Sequence, residues 1–370
     1  MGGLLNTFPT VGAQTLRALA RYPDRIAFSW PGGSLSYSGA TDMIGRFQNI
    51  LMNLGAQPGT RVALLTANRA ETWCVGVAAQ LSRFGISWLH PLGSLDDQID
   101  QIEDCGAEIL VIDANNFLQR GGELATRAQG LRHVFTLGRA GYGIDLLTAA
   151  ESGGTATARD FANADDIAVL NYTGGTTGKS KGALRYHREV AGFANAILAD
   201  FEIPDTPRYL TVAPISHVAG TKVLPALIRG GTVHMLKGFD PEAVLHTIER
   251  EKINFTLFVP TMVYVLLDHP AMARTDLSSL IWYCTARRRC HRAGWLKASN
   301  GSARCSRSSM ARPNATRSRC YARPITIQNS RSCSCRAVFR SPPATSGFST
   351  MTTTRSPPAI PAKSACGRHT

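Results

Sequence analysis

The ten residues Thr173 to Gly182, TGGTTGKSKG, hold four glycines, three threonines, one serine and two lysines. Glycine admits positive φ and lets successive backbone N–H groups converge on an anion, hydroxyls add donors, and lysine adds full charge. That is chemistry for holding phosphate, and its density suits a nucleotide triphosphate. The P-loop pattern G-x-x-x-x-G-K-[ST] is matched only from its sixth position, because Thr173 stands where the first glycine belongs, and the dinucleotide fingerprint fails as well. A flexible Gly/Ser/Thr linker is the alternative. Linkers seldom sit directly between a buried strand and another ordered run, so the phosphate loop is the stronger expectation.

Such a loop needs rigid elements on both sides. Short apolar runs alternate with longer amphipathic ones, the pattern of a parallel sheet covered by helices. RVALLTA (61–67), EILVID (108–113), HVFTLG (133–138) and IAVLNYT (167–173) read as strands, and RYLTVAP, GTVHML and NFTLFVP continue the series after the loop. ETWCVGVAAQLSRFG reads as a helix ending on Gly85 as C-cap, and PEAVLHTIEREK as another. Trp73, Trp88 and the methionines of this region read as core. The fold class is α/β, doubly wound.

The loop and its flanks, DDIAVLNYTGGTTGKSKGALRYH (165–187), resemble the signature of the adenylate-forming, AMP-binding superfamily: acyl- and aryl-CoA synthetases, luciferases and peptide-synthetase adenylation domains. Ser180 and Tyr186 depart from its usual proline and Ser or Thr. PDRIAF, GAQPGTRVALLTANRAETW, FGISWLHPLGSLDDQIDQIEDCGAEILVID, VAPISHVAG and FTLFVPTMVYVLL resemble further family segments, in the family's order. The resemblance covers residues 9–283 and implies an N-terminal domain of two doubly wound β/α subdomains, here incomplete. Residues 1–8 then form an extension and 284–370 an aberrant basic tail without order.

The implied reaction has two steps. A carboxylate attacks the α-phosphate of ATP, carried with Mg2+, to give acyl-adenylate and pyrophosphate, and CoA then takes the acyl group as a thioester. The resemblance assigns Thr173, Gly174, Gly175, Thr176, Thr177 and Gly178 to the β- and γ-phosphates, with Lys179 and Lys181 as charged support. It puts His217 beside the carboxylate pocket as a substrate gate, although a lone histidine is more often structural. Pro260, Thr261 and Met262 are pocket candidates, with packing at a strand end an equal alternative. His187 reads as a loop anchor, and no metal ligand is singled out. YTGGTTGKSKG and VAPISHVAG look most like fatty-acid–CoA ligases, with an aryl acid as the alternative substrate.

Charge and cysteine divide the chain at the same boundary. The formal net charge is +14, yet 17 of the 40 basic residues and no acidic residue follow Cys284, leaving 23 basic against 26 acidic before it, a net of −3. Cys74 and Cys105 precede the boundary, and the other seven of the nine cysteines lie from it onward. Cys333 and Cys335 lack paired C-x-x-C spacing, which speaks against zinc. The sparse aromatics of the tail show no stacking platform for a specific nucleic acid. Two isolated cysteines in the body, no secretory signal and no apolar run of membrane-spanning length give a cytoplasmic expectation.

The family continues with G-[AG]-[SA]-P-[ML], Y-G-x-T-E, a ribose aspartate and a catalytic lysine in a small C-terminal domain, none of which follows Tyr283. Codons permitted for Thr285 to Arg292, regrouped one base earlier, admit G-A-S-P-M-S-P. In the same frame Met310 to Thr316 admit Y-G-Q-T-E-C-Y when Arg312 is encoded by AGA, with the glycine forced, and Ser349 to Cys366 end on G-E-I-C-V-R. A one-base frameshift near codon 284 therefore explains the tail, and the expected product is an inactive or impaired ligase. A non-catalytic nucleotide-binding body with a basic interaction tail is the competing reading. Oligomeric state is not legible.

Overall fold

Alternating side chains of single strands enter two different apolar layers. Val62 and Leu64 pack to one side of their strand, and Ala63 and Leu65 to the other. Ile109 and Val111 oppose Leu110 and Ile112 in the same way, as Tyr209 opposes Leu210. Strands buried on both faces must be apolar throughout, and that is why they appear in the sequence as unbroken runs.

The computed structural model describes residues 9–173, 181–286 and 304–308, all within one unit, Met1–Ala322; the second unit, Arg323–Thr370, lies outside the described residues. One sheet contains β1 (Ile26–Trp30), β2 (Gly33–Ser36), β10 (Arg208–Thr211), β11 (Thr232–Met235), β12 (Phe255–Phe258), β13 (Trp282–Ala286) and β14 (Arg304–Ser308), in the order β14-β13-β12-β10-β11-β1-β2. The other contains β3 (Arg61–Leu65), β4 (Gly85–Trp88), β5 (Ala107–Ile112), β6 (His133–Thr136), β7 (Ile144–Asp145), β8 (Ile167–Thr173) and β9 (Lys181–Tyr186), in the order β7-β6-β5-β3-β4-β8-β9. Among the described pairs, β1 with β2 and β8 with β9 are antiparallel and the rest parallel.

Helices α1 (Val11–Arg21), α2 (Tyr37–Met52), α3 (Ala70–Leu81), α6 (Leu146–Ser152), α7 (His187–Asp200) and α8 (Val223–Ile228) share one core with the facing sides of both sheets. On the outer faces, α4 (Leu95–Asp104) and α5 (Ala114–Arg127) cover the β3 sheet, and α9 (Pro241–Arg250) and α10 (Pro260–Asp268) the β10 sheet. Local signals start many of these helices. Thr10, Ser36, Ser94, Asp113, Asp145 and Asp240 each accept a backbone N–H of the first turn, and Pro241 follows Asp240 at the first helical position.

Each sheet reverses its direction of growth beside its central strand, β3 or β10, and ligands of such sheets bind where the order reverses, beyond the carboxyl ends. Asn68, just past β3, joins the two reversal points. Its amide nitrogen donates to the carbonyls of Ala213 and Leu236, each at 3.1 Å, and its oxygen accepts from the Ile215 N–H at 2.8 Å.

Two boundaries differ from expectation. α3 stops at Leu81, not Gly85: Arg83 takes the left-handed conformation at φ 65°, held by a forked ion pair with Asp166 at 2.9 and 3.2 Å, and Gly85 opens β4. β13 continues past Tyr283 to Ala286, and β14 lies inside the basic segment. Both belong to a parallel ladder, which is built from backbone groups and needs no particular side chain.

Candidate functional site

β8 borders a cavity and ends where the glycine-rich connection begins. Val169 and Asn171 line a cavity of about 150 Å3, and Thr173 ends the strand, paired with Lys181 of β9. The antiparallel pair thus brings together the two ends of the glycine-rich connection. Gly174, Gly175, Thr176, Thr177, Gly178 and Lys179 lie outside the described residues.

The cavity gathers helical faces from distant parts of the chain. α3 supplies Trp73, Gly76, Val77 and Gln80, spaced i, i+3, i+4 and i+7, and α7 supplies Val190, Phe193 and Ala194 with the same period. The connection from β10 to α8 adds Ile215, Ser216, His217 and Thr221. Arg185 of β9 is the one charged side chain among the described lining residues, and its guanidinium lies 5.8 Å from the centre of the Phe193 ring.

His217 sits on this wall with one side open to solvent. Its Nδ1 is 2.7 Å from the Ser216 hydroxyl, and its ring meets His90 edge-on, with centroids 4.6 Å apart. Desolvation against the wall, and then the neighbouring His90, lower its affinity for a proton. The ring is therefore a neutral donor and acceptor at pH 7. His90 is anchored in turn: its Nδ1 accepts the Leu92 N–H at 3.0 Å, and its carbonyl accepts from Gln98 at 2.8 Å.

Other expected residues are placed elsewhere. Pro260, Thr261 and Met262 form the first turn of α10, at the carboxyl end of β12, and are not among the residues lining the cavity. Met262 instead packs against the apolar clusters on both sides of its sheet. His187 opens α7, fully buried, with neither ring nitrogen hydrogen-bonded, and its backbone N–H donates to the Asp166 carbonyl at 3.0 Å. Trp73 and Trp88, expected as core, do pack against the main apolar cluster and also form part of the cavity wall. The i, i+3, i+4, i+7 spacing of α3 marks a buried face, but no signal in it separates a face against a cavity from a face against other side chains. Arg185 and His90 stand in short polar stretches with no motif to single them out.

The described residues give a strand pair whose ends flank the glycine-rich connection, and an apolar cavity with one cation in its wall. Among the described residues no three His, Cys, Asp or Glu side chains converge on a metal position. Also among them, no helix is long and apolar enough to cross a membrane.

Known proteins resemble the chain in sequence and in fold. A medium/long-chain-fatty-acid–CoA ligase, FadD8, from Mycobacterium tuberculosis is 34% identical over 287 residues, covering 75% of this chain and 50% of the relative. A feruloyl-CoA synthase from an Amycolatopsis species is 29% identical over 274 residues, covering 73% and 52%. The chain therefore spans about half the length of the curated relatives it matches. The N-terminal domain of FACL13 from Mycobacterium tuberculosis superposes with a TM-score of 0.74 at 20% identity, over 82% of this chain and 76% of that one, so the fold is shared. Residues 16–312 match the family described as AMP-binding enzyme. With two switch-point sheets clasped by Asn68 and a family match that spans most of its length, the chain belongs to that AMP-binding enzyme family.

Proposed function

We propose that the chain is the N-terminal part of an acid–thiol ligase, which activates a carboxylic acid, a fatty acid in the first instance, with ATP and passes it to coenzyme A. The carrying observation is the geometry of β8, whose cavity-facing residues Val169 and Asn171 lead directly to Thr173 at the edge of the phosphate-binding connection. An acid held in the cavity lies next to a nucleotide held by Thr173, Gly174, Gly175, Thr176, Thr177 and Gly178, with Lys179 and Lys181 balancing phosphate charge. Activation of this kind works by positioning and charge neutralisation. Arg185 meets the carboxylate at the cavity wall, and neutral His217 gates the passage between acid and nucleotide. Mg2+ arrives on the phosphates.

This chain does not complete the reaction. Residues 284–370 offer no adenine segment, no Y-G-x-T-E and no ribose aspartate, and a one-base shift near codon 284 accounts for their absence. Its setting is the cytoplasm.

ATP–pyrophosphate exchange over a panel of fatty and aryl acids tests the reading. The expected result is nucleotide binding with exchange absent or severely reduced. Restoring the alternative frame after codon 283 should bring exchange back, and a restored chain that binds neither ATP nor any acid overturns the proposal. DNA sequence through codon 312 decides the frameshift, because an arginine codon at Arg312 that does not end in A removes the threonine of Y-G-x-T-E and excludes it. Replacing Lys181 with alanine should weaken ATP binding by at least about tenfold, the loss of one charge-assisted contact.

A further inference from the structure

Gly76 lies within α3, where glycine is the poorest helix former after proline, and its φ is not positive. A glycine inside a helix often makes room for an approaching backbone. Gly220 does so: a Cβ there would fall 1.8 Å from the Ile215 carbonyl oxygen. Gly76 does not. A Cβ added to it would meet only side chains, Trp88 Cζ2 at 3.4 Å and Ile86 Cδ1 and Trp88 Cη2 at 3.6 Å, which is ordinary contact. The fold has space for alanine at this position. The helix gives up a better residue, and what it gains is open volume in the cavity that Gly76 lines between Trp73 and Trp88.

The size of that volume is informative. A cavity of about 150 Å3 is on the scale of one that holds benzene. It encloses a body of about six carbons, as a ring or a short chain, and a sixteen-carbon chain would leave most of its length outside the cavity, in water. Two indole rings and Phe193 supply flat apolar wall, while Arg185 supplies a cation for a carboxylate.

We infer that the cavity binds carboxylic acids with a compact apolar body of about six carbons, and that Gly76 is the residue setting its upper size limit. This rests on the proposed acid-activating function and narrows its substrate class. Gly76 acts through the space it leaves and takes no part in the chemistry.

The test uses binding to the full chain, read by quenching of Trp73 and Trp88 fluorescence during titration with butanoate, hexanoate, benzoate and hexadecanoate. Hexanoate, benzoate or both should bind at least tenfold more tightly than hexadecanoate, and comparison of these two arms tells chain from ring. In Gly76→Ala the preferred six-carbon acid should weaken about tenfold, butanoate should be unchanged, and the melting temperature should hold or rise. Gly76→Leu should abolish binding of all four, with circular dichroism reporting whether the helix survives. Hexadecanoate binding as tightly as hexanoate, no saturable quenching by any acid, or equal affinities in the parent and Gly76→Ala would each overturn the inference. A fall in the melting temperature of Gly76→Ala with uniform loss of all acids would also overturn it, by assigning Gly76 to the fold. Binding in the expected size order with no pyrophosphate exchange in the restored frame would leave this inference standing and remove the activation reading. Exchange without the size order would do the reverse.

Discussion

Asn68 and His234 show how much rests on single buried polar groups. Asn68 is nearly inaccessible and satisfies two carbonyls and one N–H at the joined switch points, so Asn68→Ala leaves three buried partners unpaired. The expected loss is about 3 kcal/mol or more, read as a shift in the urea midpoint. His234 on β11 is buried with its Nε2 unpartnered, and burial, followed by the nearby Arg208, pulls its pKa down to about 4. Glu251, 3.9 Å away, opposes that shift and Arg250 adds to it. The unfolded chain protonates this histidine near pH 6.5 and the folded chain only near 4, so between these values the unfolded state holds more protons. Stability contributed by neutral His234 is complete above pH 6.5 and is lost as the pH falls toward 4. Against His234→Gln, the parent should therefore lose about 2 kcal/mol of relative stability between pH 7 and pH 5. Urea titrations at the two pH values check this, and a constant difference would contradict it.

At the scale of elements, the parts legible in the sequence are those specified locally. β3, β5, β6, β8, β10, β11 and β12 lie where apolar runs stand, and α9 begins at its Asp240–Pro241 signal. The glycine-rich connection stands out in the sequence for the same reason, its ten residues being consecutive, while residues 174–180 lie outside the described residues. The cavity does not stand out, because it is assembled from residues as far apart as Val11 and Leu224, and the packing of four helices and three strands makes it. The end of α3 was misread because Arg83 adopts a backbone conformation usually left to glycine, stabilised by an ion pair across 83 positions of sequence. Caps give a direct test at this scale. The Ser94 hydroxyl accepts the Asp97 N–H at 3.1 Å and donates to the Asp97 carboxylate at 2.6 Å. Ser94→Ala should cost about 1 kcal/mol, measured by thermal or chemical denaturation.

For the molecule as a whole, charge and fold part company. The family match ends at residue 312, and the body before Cys284 is slightly acidic, while the full chain carries +14. A chain ending at residue 308 retains β14 and loses ten basic residues, which lowers the net charge to +4. It should melt at the same temperature as the full chain and bind a cation exchanger, or random nucleic acid at low salt, far more weakly. A matched drop in melting temperature would give the basic segment a structural role. The order of strands also sets a timetable. The β3 sheet is drawn entirely from residues 61 to 186, whereas β1 must wait for β11, with Phe28 registered beside Val233, 205 residues later. At about 5–20 residues per second of synthesis, that is a delay of about 10–40 s. Through this interval the β3 sheet can close on itself, while the β1–β2 hairpin has no parallel neighbour. An edge fully enclosed in the finished fold is thus the surface most in need of protection while the chain is being made.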